Sequence, residues 1–409
     1  MGNQQRYKWE VLALLWVAFF INQADRQVFN VVLPLIREDL GLSDVEIGII
    51  ATGFNLAFAL LVPISGYVAD RYSRRWIIVG SIVFWSMATM LTGFSQGLLS
   101  LLLFRSIATG GGEAFFGPAN YTLLAAYHRS TRATAMSIHQ TSLYVGIIAC
   151  GYLAGYTGER WGWKNAFYLF GAIGILHGLI LAWRLKDPPK AQPIASKEPA
   201  IGFWEALRIL FKIPTALLLT LSFSGLIFVL TGYLTWTPTY LYEKFGMTLT
   251  QAGFHSMFYT HLFALVGILL AGKWSDRAAR RTPSVRLRMQ AWGLWGAIPF
   301  LLLMAFADNL LWVYVGLAGF GFTRAFFDAN TYSVLYDVIP ARYQSSASGV
   351  MMMVGFVVGS TSPLLLGYLK SGLGLSFGFA LLAGVWGICG LLLTWARVHF
   401  FNKDYAFGR

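Results

Sequence analysis

The feature that most constrains this chain is a recurrence of apolar runs about twenty residues long, each bounded by charged or turn-forming residues. A helix needs about 20 mostly apolar residues to cross a bilayer core. Runs of that kind lie near residues 9–34, 46–69, 76–95, 98–127, 134–157, 163–184, 212–242, 250–274, 288–307, 309–337, 344–369 and 376–399. Composition agrees: of 409 residues, 56% are hydrophobic and only 12% charged, against about 25% charged in a soluble domain. So few charges cannot cover a soluble surface, which excludes an ordinary soluble enzyme, a disordered chain and a nucleic-acid-binding domain. The expectation is an all-α membrane protein with 12 transmembrane helices, the backbone polar groups being satisfied inside each helix. The first apolar run, 11–21, continues into a full span without a small-residue cleavage site and does not read as a cleavable leader.

The longest polar interruption is 185–211, which holds Lys186, Asp187, Pro188, Pro189, Lys190, Lys197 and Glu198. It divides the chain into an N-terminal six-helix bundle (1–184), a cytoplasmic linker (185–211) and a C-terminal six-helix bundle (212–409). With the N-terminus in the cytoplasm, 23 of the 31 Lys and Arg residues fall in cytoplasmic segments and 5 in outer loops. That bias is the positive-inside pattern. It accounts for the net charge of +13 without a nucleic-acid partner, and it puts both termini in the cytoplasm of a multi-pass protein of the inner (plasma) membrane. The two cysteines, Cys150 and Cys389, sit in apolar runs with no metal-binding or disulfide spacing.

The two halves repeat. Residues 66–75 read GYVADRYSRR and residues 272–281 read GKWSDRAARR, with Gly, Asp and three Arg in register. Glu113-Ala-Phe-Phe in the fourth run aligns likewise with Arg324-Ala-Phe-Phe in the tenth. Duplicated bundles of this kind place a substrate site near the midplane and alternate access around it. The Gly-x-x-x-Asp-Arg-x-x-Arg-Arg loop, present twice, resembles the signature of the major facilitator superfamily, a resemblance that covers essentially the whole chain. Ile-Asn-Gln-Ala-Asp-Arg (21–26), and Arg105 followed by Gly-Gly-Glu-Ala-Phe-Phe-Gly-Pro-Ala-Asn (111–120), are similar to the anion:cation symporters of sugar acids and organic anions. They are equally similar to bacterial relatives of the Spinster lipid transporters. The loop residues Gly66, Asp70, Arg71, Arg74, Arg75, Gly272, Asp276 and Arg277 have two readings. They serve topology alone, or, as the resemblance implies, they latch one face of the transport cycle.

A charge at the centre of a spanning helix costs a few kcal/mol, so ionisable residues there are functional candidates. Six occur: Asp25, Arg26, Arg105, Glu113, Arg324 and Asp328. Glu113 lies mid-span beside Gly110, Gly111 and Gly112, where a neighbouring helix can approach closely. A desolvated carboxylate suits proton binding and release; the alternative is a structural partner for an arginine. Asp25 and Arg26 are adjacent and point about 100° apart, so they serve different partners. The resemblance implies Asp25 as a second protonation site, and Arg26 as a substrate contact or a bridge to Glu113. Arg105 and Glu113 are not a direct pair on an ideal helix, being about 80° apart around it; Asp25 is the expected partner of Arg105. Arg324 and Asp328 share a face at i, i+4. They either neutralise each other or leave Arg324 to fork onto a substrate carboxylate, opposite the arginines of the first half.

Weaker candidates for the cavity are His139, Gln140 and Tyr144 in the fifth run, Asn55 in the second and Tyr233 in the seventh. No phosphate loop or nucleophile arrangement points to ATP-driven transport or to an enzyme, and no cofactor or metal is expected beyond the coupling proton. The reading is a monomeric, proton-coupled secondary transporter that imports a small organic anion such as a sugar acid by alternating access, with protons and membrane lipids as its other partners. Asp25, Glu113 and Arg105 would couple protons; Arg26, Arg324, Gln140, Tyr144, His139, Asn55, Asp328 and Tyr233 would bind substrate. The alternatives are a Spinster-like carrier of a lysolipid or sphingoid lipid, and a proton-antiport exporter.

Overall fold

The computed structural model describes residues 2–128, 131–187 and 203–408, and all regular structure among them is helical. The first helices are α1 (Gly2–Leu40), α2 (Asp44–Arg71) and α3 (Arg74–Thr92). The run 98–127 is a composite of α4 (Leu98–Leu101), a π-helix (Leu102–Thr109), α5 (Gly110–Ala114) and α6 (Phe116–Tyr127). Then come α7 (Arg132–Trp161), α8 (Trp163–Arg184), α9 (Phe203–Lys212), α10 (Pro214–Phe245), α11 (Leu249–Ala279), α12 (Val285–Phe306), α13 (Leu310–Asp328) and α14 (Thr331–Val338). After a 3₁₀ turn (Ala341–Tyr343) come α15 (Gln344–Gly359), α16 (Ser362–His399) and α17 (Phe401–Gly408). Eight segments among the described residues are long and apolar enough to cross a membrane. α1 and α7 are not among them. Both carry polar residues along their middle turns, so low hydropathy here marks content rather than exposure.

Local chemistry sets the breaks. Ser43 and Glu46 start α2 with a capping box, each side chain accepting from the other's backbone N–H at 3.2 and 2.8 Å. Gly374 interrupts α16 at φ +80°, a backbone conformation that a side chain resists. The expected run 344–369 is also broken, at residues 360–361. There the Ser360 and Thr361 hydroxyls donate to the Val357 and Val358 carbonyls, both at 2.7 Å, which weakens the helical ladder, and Pro363 has no N–H to extend it. Of the expected linker 185–211, residues 188–202 lie outside the described residues. Its end is the helix α9, held by the buried Ala206 and Leu210 one turn apart.

The described residues group into two compact units, one within Met1–Lys197 and Thr237–Met257, the other within Glu198–Trp236 and Phe258–Arg409. In the first, α1 packs on α7 and α3 on α8, around a core that includes Leu15, Phe19, Ile82, Trp85, Phe116 and Leu123. The end of α10 and the start of α11, Thr237–Met257, group with this unit. Arg37 holds Asp44 at 2.8 Å and Glu243 at 2.9 Å. The Glu159 carboxylate accepts from the Thr250 N–H at 3.1 Å and its hydroxyl at 2.6 Å. Those hydrogen bonds hold Glu159 below the usual glutamate range, so this cap stays charged at neutral pH and is lost only as pH falls through that lowered value. In the second unit α12 packs on α13 and α16, and Tyr233, Phe320, Phe379 and Trp386 form a ring cluster.

Within the second unit a Cβ at Gly321 would lie 2.0 Å from the Thr260 carbonyl oxygen, whereas one at Gly349 meets nothing within 4 Å. Gly321→Ala should therefore destabilise the protein by about 1–3 kcal/mol through overpacking, and Gly349→Ala should be neutral or slightly stabilising. Thermal melting of the two detergent-solubilised variants reads the contrast.

Candidate functional site

Four of the six intramembrane charges gather in the first unit, and the chain builds this cluster from three segments. α1 supplies Asp25 and Arg26 on diverging directions. The π-helix supplies Arg105, and the short α5 supplies Glu113. A π turn takes in an extra residue and rotates the next turn of helix, so the angular relation of an ideal helix between Arg105 and Glu113 does not apply. Glycines let α5 press inward: a Cβ at Gly110 would sit 2.6 Å from the Phe54 carbonyl oxygen, and one at Gly112 would sit 2.7 Å from the Phe84 ring.

Arg26 Nε donates to Glu113 Oε2 at 2.5 Å. The Glu113 side chain is 0% exposed and that of Arg26 19%, so the pair has a sealed acidic end and an open basic end. The Arg26 guanidinium lies 4.3 Å from the centre of the Phe58 ring. Arg105 is buried; its Nη2 donates to the Arg26 carbonyl at 2.9 Å and its Nη1 lies 3.8 Å from Asp25 Oδ2. Its guanidinium stacks 4.4 Å from the Phe54 ring. The Thr89 hydroxyl donates to the same Asp25 oxygen at 2.9 Å. Two cations and two carboxylates leave the cluster with no formal charge, which is what burial in low dielectric demands. Thr89, Phe54 and Phe58 carried no sequence signal, because a phenylalanine or threonine in an apolar span is ordinary.

The structure places the other candidates differently. His139 is fully buried, stacked 4.8 Å from Phe19 and 3.0 Å from the Asn120 amide nitrogen. Gln140 is exposed and Tyr144 buried. Asn55 donates back to the Ala51 carbonyl of its own helix at 2.9 Å. In the second unit Arg324 is buried, with Nε 3.1 Å from Asp328 Oδ2, the latter side chain 24% exposed. Arg324 Nη1 is buried without a hydrogen-bond partner, so Asp328 does not saturate it. Tyr233 is fully buried, its hydroxyl 2.5 Å from that of Thr260.

The repeated loops are held in two ways. Arg75 donates to the Ala182 carbonyl, and its backbone N–H donates to Asp187 Oδ1 at 3.0 Å. Asp276 faces Arg286 at 3.4 Å, and Arg286 also holds Asp337 at 2.8 Å. Arg71 and Arg277 are exposed, Arg74 is half-buried, Gly66 and Gly272 have open space at their Cβ positions, and the Asp70 side chain lies outside the described groups. Among the described residues, no His, Cys, Asp and Glu side chains cluster to hold a metal ion.

The family model described as Major Facilitator Superfamily matches residues 15–363. A probable galactarate/D-glucarate transporter of Bacillus subtilis is 24% identical, over 96% of this chain and 92% of that protein. Protein spinster homolog 1 of Xenopus tropicalis is 28% identical, over 90% of this chain and 74% of that protein. Among solved structures, a bacterial homologue of the human lysosomal transporter Spinster, in an inward-facing and unoccupied conformation, superposes with a TM-score of 0.82 at 22% identity, covering 98% of both chains.

The pairing makes a thermodynamic prediction. Arg26→Gln leaves a buried carboxylate without its cation and should cost about 3–5 kcal/mol. The double variant Arg26→Gln with Glu113→Gln, which removes both charges, should recover most of that loss. Melting midpoints of wild type, both single variants and the double variant form the cycle that checks it. Additive losses would show that the two residues act independently.

Proposed function

The chain belongs to the Major Facilitator Superfamily, and from that premise we propose that it is a proton-coupled symporter that imports a small organic anion, a sugar acid being the first candidate. The reading includes twelve spans with both termini cytoplasmic, in an inner membrane. Membrane transport itself follows from the family and the apolar helices; the sugar-acid relative supports the substrate class. The observation that carries the coupling is the Arg26–Glu113 pair, with its buried carboxylate and open guanidinium.

The mechanism is competition for one cation. In the free state Glu113 neutralises Arg26. A substrate carboxylate docking on the open side of Arg26 would leave two anions on one guanidinium in low dielectric. The strain is relieved when Glu113 takes a proton, because the neutral acid no longer needs the cation. Anion and proton therefore bind together, and either alone is disfavoured. Arg105 and Asp25 form the parallel pair, with Thr89 steadying the carboxylate, so Asp25 is the second proton site. In the second unit Arg324 keeps an unbonded donor, which suits a carboxylate or sugar hydroxyl. Its partner Asp328 tunes it. A monoanion with one proton, or a dianion with both carboxylates protonated, leaves the loaded cluster without net charge, so the protein can reorient, and an inward proton gradient makes the direction import.

A second reading has its own support. The Phe54 and Phe58 rings beside Arg26 form an apolar wall next to a cationic anchor. That arrangement also suits the headgroup and tail of an anionic lipid, and the Spinster-type relatives agree with it.

Proteoliposome uptake of labelled sugar acids under an imposed inward proton gradient tests both readings. Wild type should accumulate one acid. Glu113→Gln should lose gradient-driven accumulation while keeping exchange of labelled for unlabelled acid, because its substrate cation is intact and permanently released. Accumulation unchanged in Glu113→Gln would remove this carboxylate from coupling. Failure of every acid, with a lysolipid bound instead, would promote the lipid reading.

A further inference from the structure

α9 is an amphipathic helix of ten residues that ends one residue before α10 begins. Its inner face is Ala206 and Leu210, both fully buried, and it packs on α15. Its outer face holds Trp204, Arg208 and Phe211, spaced at i, i+4 and i+7 and so on one side of the helix. Trp204 is 73% and Phe211 56% exposed. Lys212 flanks them and is exposed as well. The one acidic residue, Glu205, accepts from the Tyr343 hydroxyl at 2.8 Å, and the exposed Arg342 lies over the Tyr343 ring at 4.5 Å. The face therefore combines two large aromatics with an excess of positive charge.

Its position is fixed. The Thr215 N–H at the start of α10 donates to the buried Asp404 carboxylate of α17 at 2.8 Å. That cap and the Glu205–Tyr343 contact hold the α9–α10 corner rigid. Because α10 is apolar from its first turn, a helix joined to it through one residue sits at the level where the bilayer meets water. Tryptophan rings favour that depth, and basic side chains around them are attracted to anionic headgroups.

We propose that α9 is an interfacial anchor that docks on anionic phospholipid, with Trp204 and Phe211 inserted at the headgroup–acyl boundary and Arg208, Lys212 and Arg342 on the phosphates. The site is separate from the buried charge cluster and independent of which substrate the protein carries.

The test uses the full-length protein carrying a nitroxide at Phe211→Cys, Cys150 and Cys389 being buried and out of reach of the label. In vesicles of phosphatidylcholine with phosphatidylglycerol the nitroxide should be open to oxygen and shielded from a water-soluble nickel reagent. Adding Arg208→Gln and Lys212→Gln should raise nickel access. Retention of phosphatidylglycerol by the detergent-solubilised protein, read by native mass spectrometry, should fall roughly fivefold for each charge removed and weaken with salt. A nitroxide fully open to nickel in those vesicles overturns the proposal. So does one shielded from both reagents, which would mean that protein covers the face, and so does lipid retention unchanged by the two substitutions.

Discussion

The first unit depends on pairing charges that are buried or nearly so. Each carboxylate or guanidinium in the cluster of Asp25, Arg26, Arg105 and Glu113 would be costly alone, and the cost is offset only by its partner. The backbone is shaped to bring the partners together. Glycines at 110 and 112 allow α5 to lie against α2 and α3 at distances that a Cβ would forbid. The π-helix breaks the regular rotation between Arg105 and Glu113, and Arg105 then reaches both Asp25 and the α1 backbone. The same pairing explains why α1, polar at its centre, still packs inside the unit: its charges are spent on internal partners and not on solvent.

A neutral cluster is also a sensitive one. Adding one proton to a carboxylate frees one arginine, and a freed buried arginine must find another anion. Under the proposed mechanism this would link proton occupancy to anion occupancy. The aromatic faces of Phe54 and Phe58 steady the guanidiniums by cation–π attraction and add no competing negative charge. In the proposed mechanism the carboxylates are then the groups a substrate would displace.

Much of this was legible in the sequence. The membrane class and the helical fold came from apolar periodicity, and the six ionisable residues stood out because charge inside an apolar run is conspicuous. The duplicated loop motif pointed to the family. The partners of those charges were harder to read. Ideal-helix arithmetic treated 98–127 as one regular span, and only the folded chain contains the π-helix and the break at Phe115. Phe54, Phe58 and Thr89 were invisible, since nothing distinguishes a ring that stacks on arginine from one that faces lipid. His139 read as a cavity group because of its polar neighbours; its placement against Phe19 and Asn120 is a matter of tertiary packing. The break at Ser360 and Thr361 depends on hydroxyls bonding back to the helix, which competes with the apolar pattern rather than appearing in it.

The duplication clarifies a division of labour. The motif Ala-Phe-Phe is preceded by Glu113 in one half and by Arg324 in the other. The first half thus places a titratable anion where the second places a permanent cation. Glu113 takes its cation from another helix, so under the proposed coupling proton uptake there would break a contact between elements. Arg324 takes its anion from its own helix, four residues on, so its pairing can change without separating any two helices. The repeated loops diverge in the same sense. Arg75 is tied to the end of α8, while Asp276 is met by Arg286, which lies outside the motif, and Arg286 carries Asp337 as well. The repeated motif thus carries different charges in the two halves, a carboxylate paired across helices in one and a guanidinium paired within its own helix in the other.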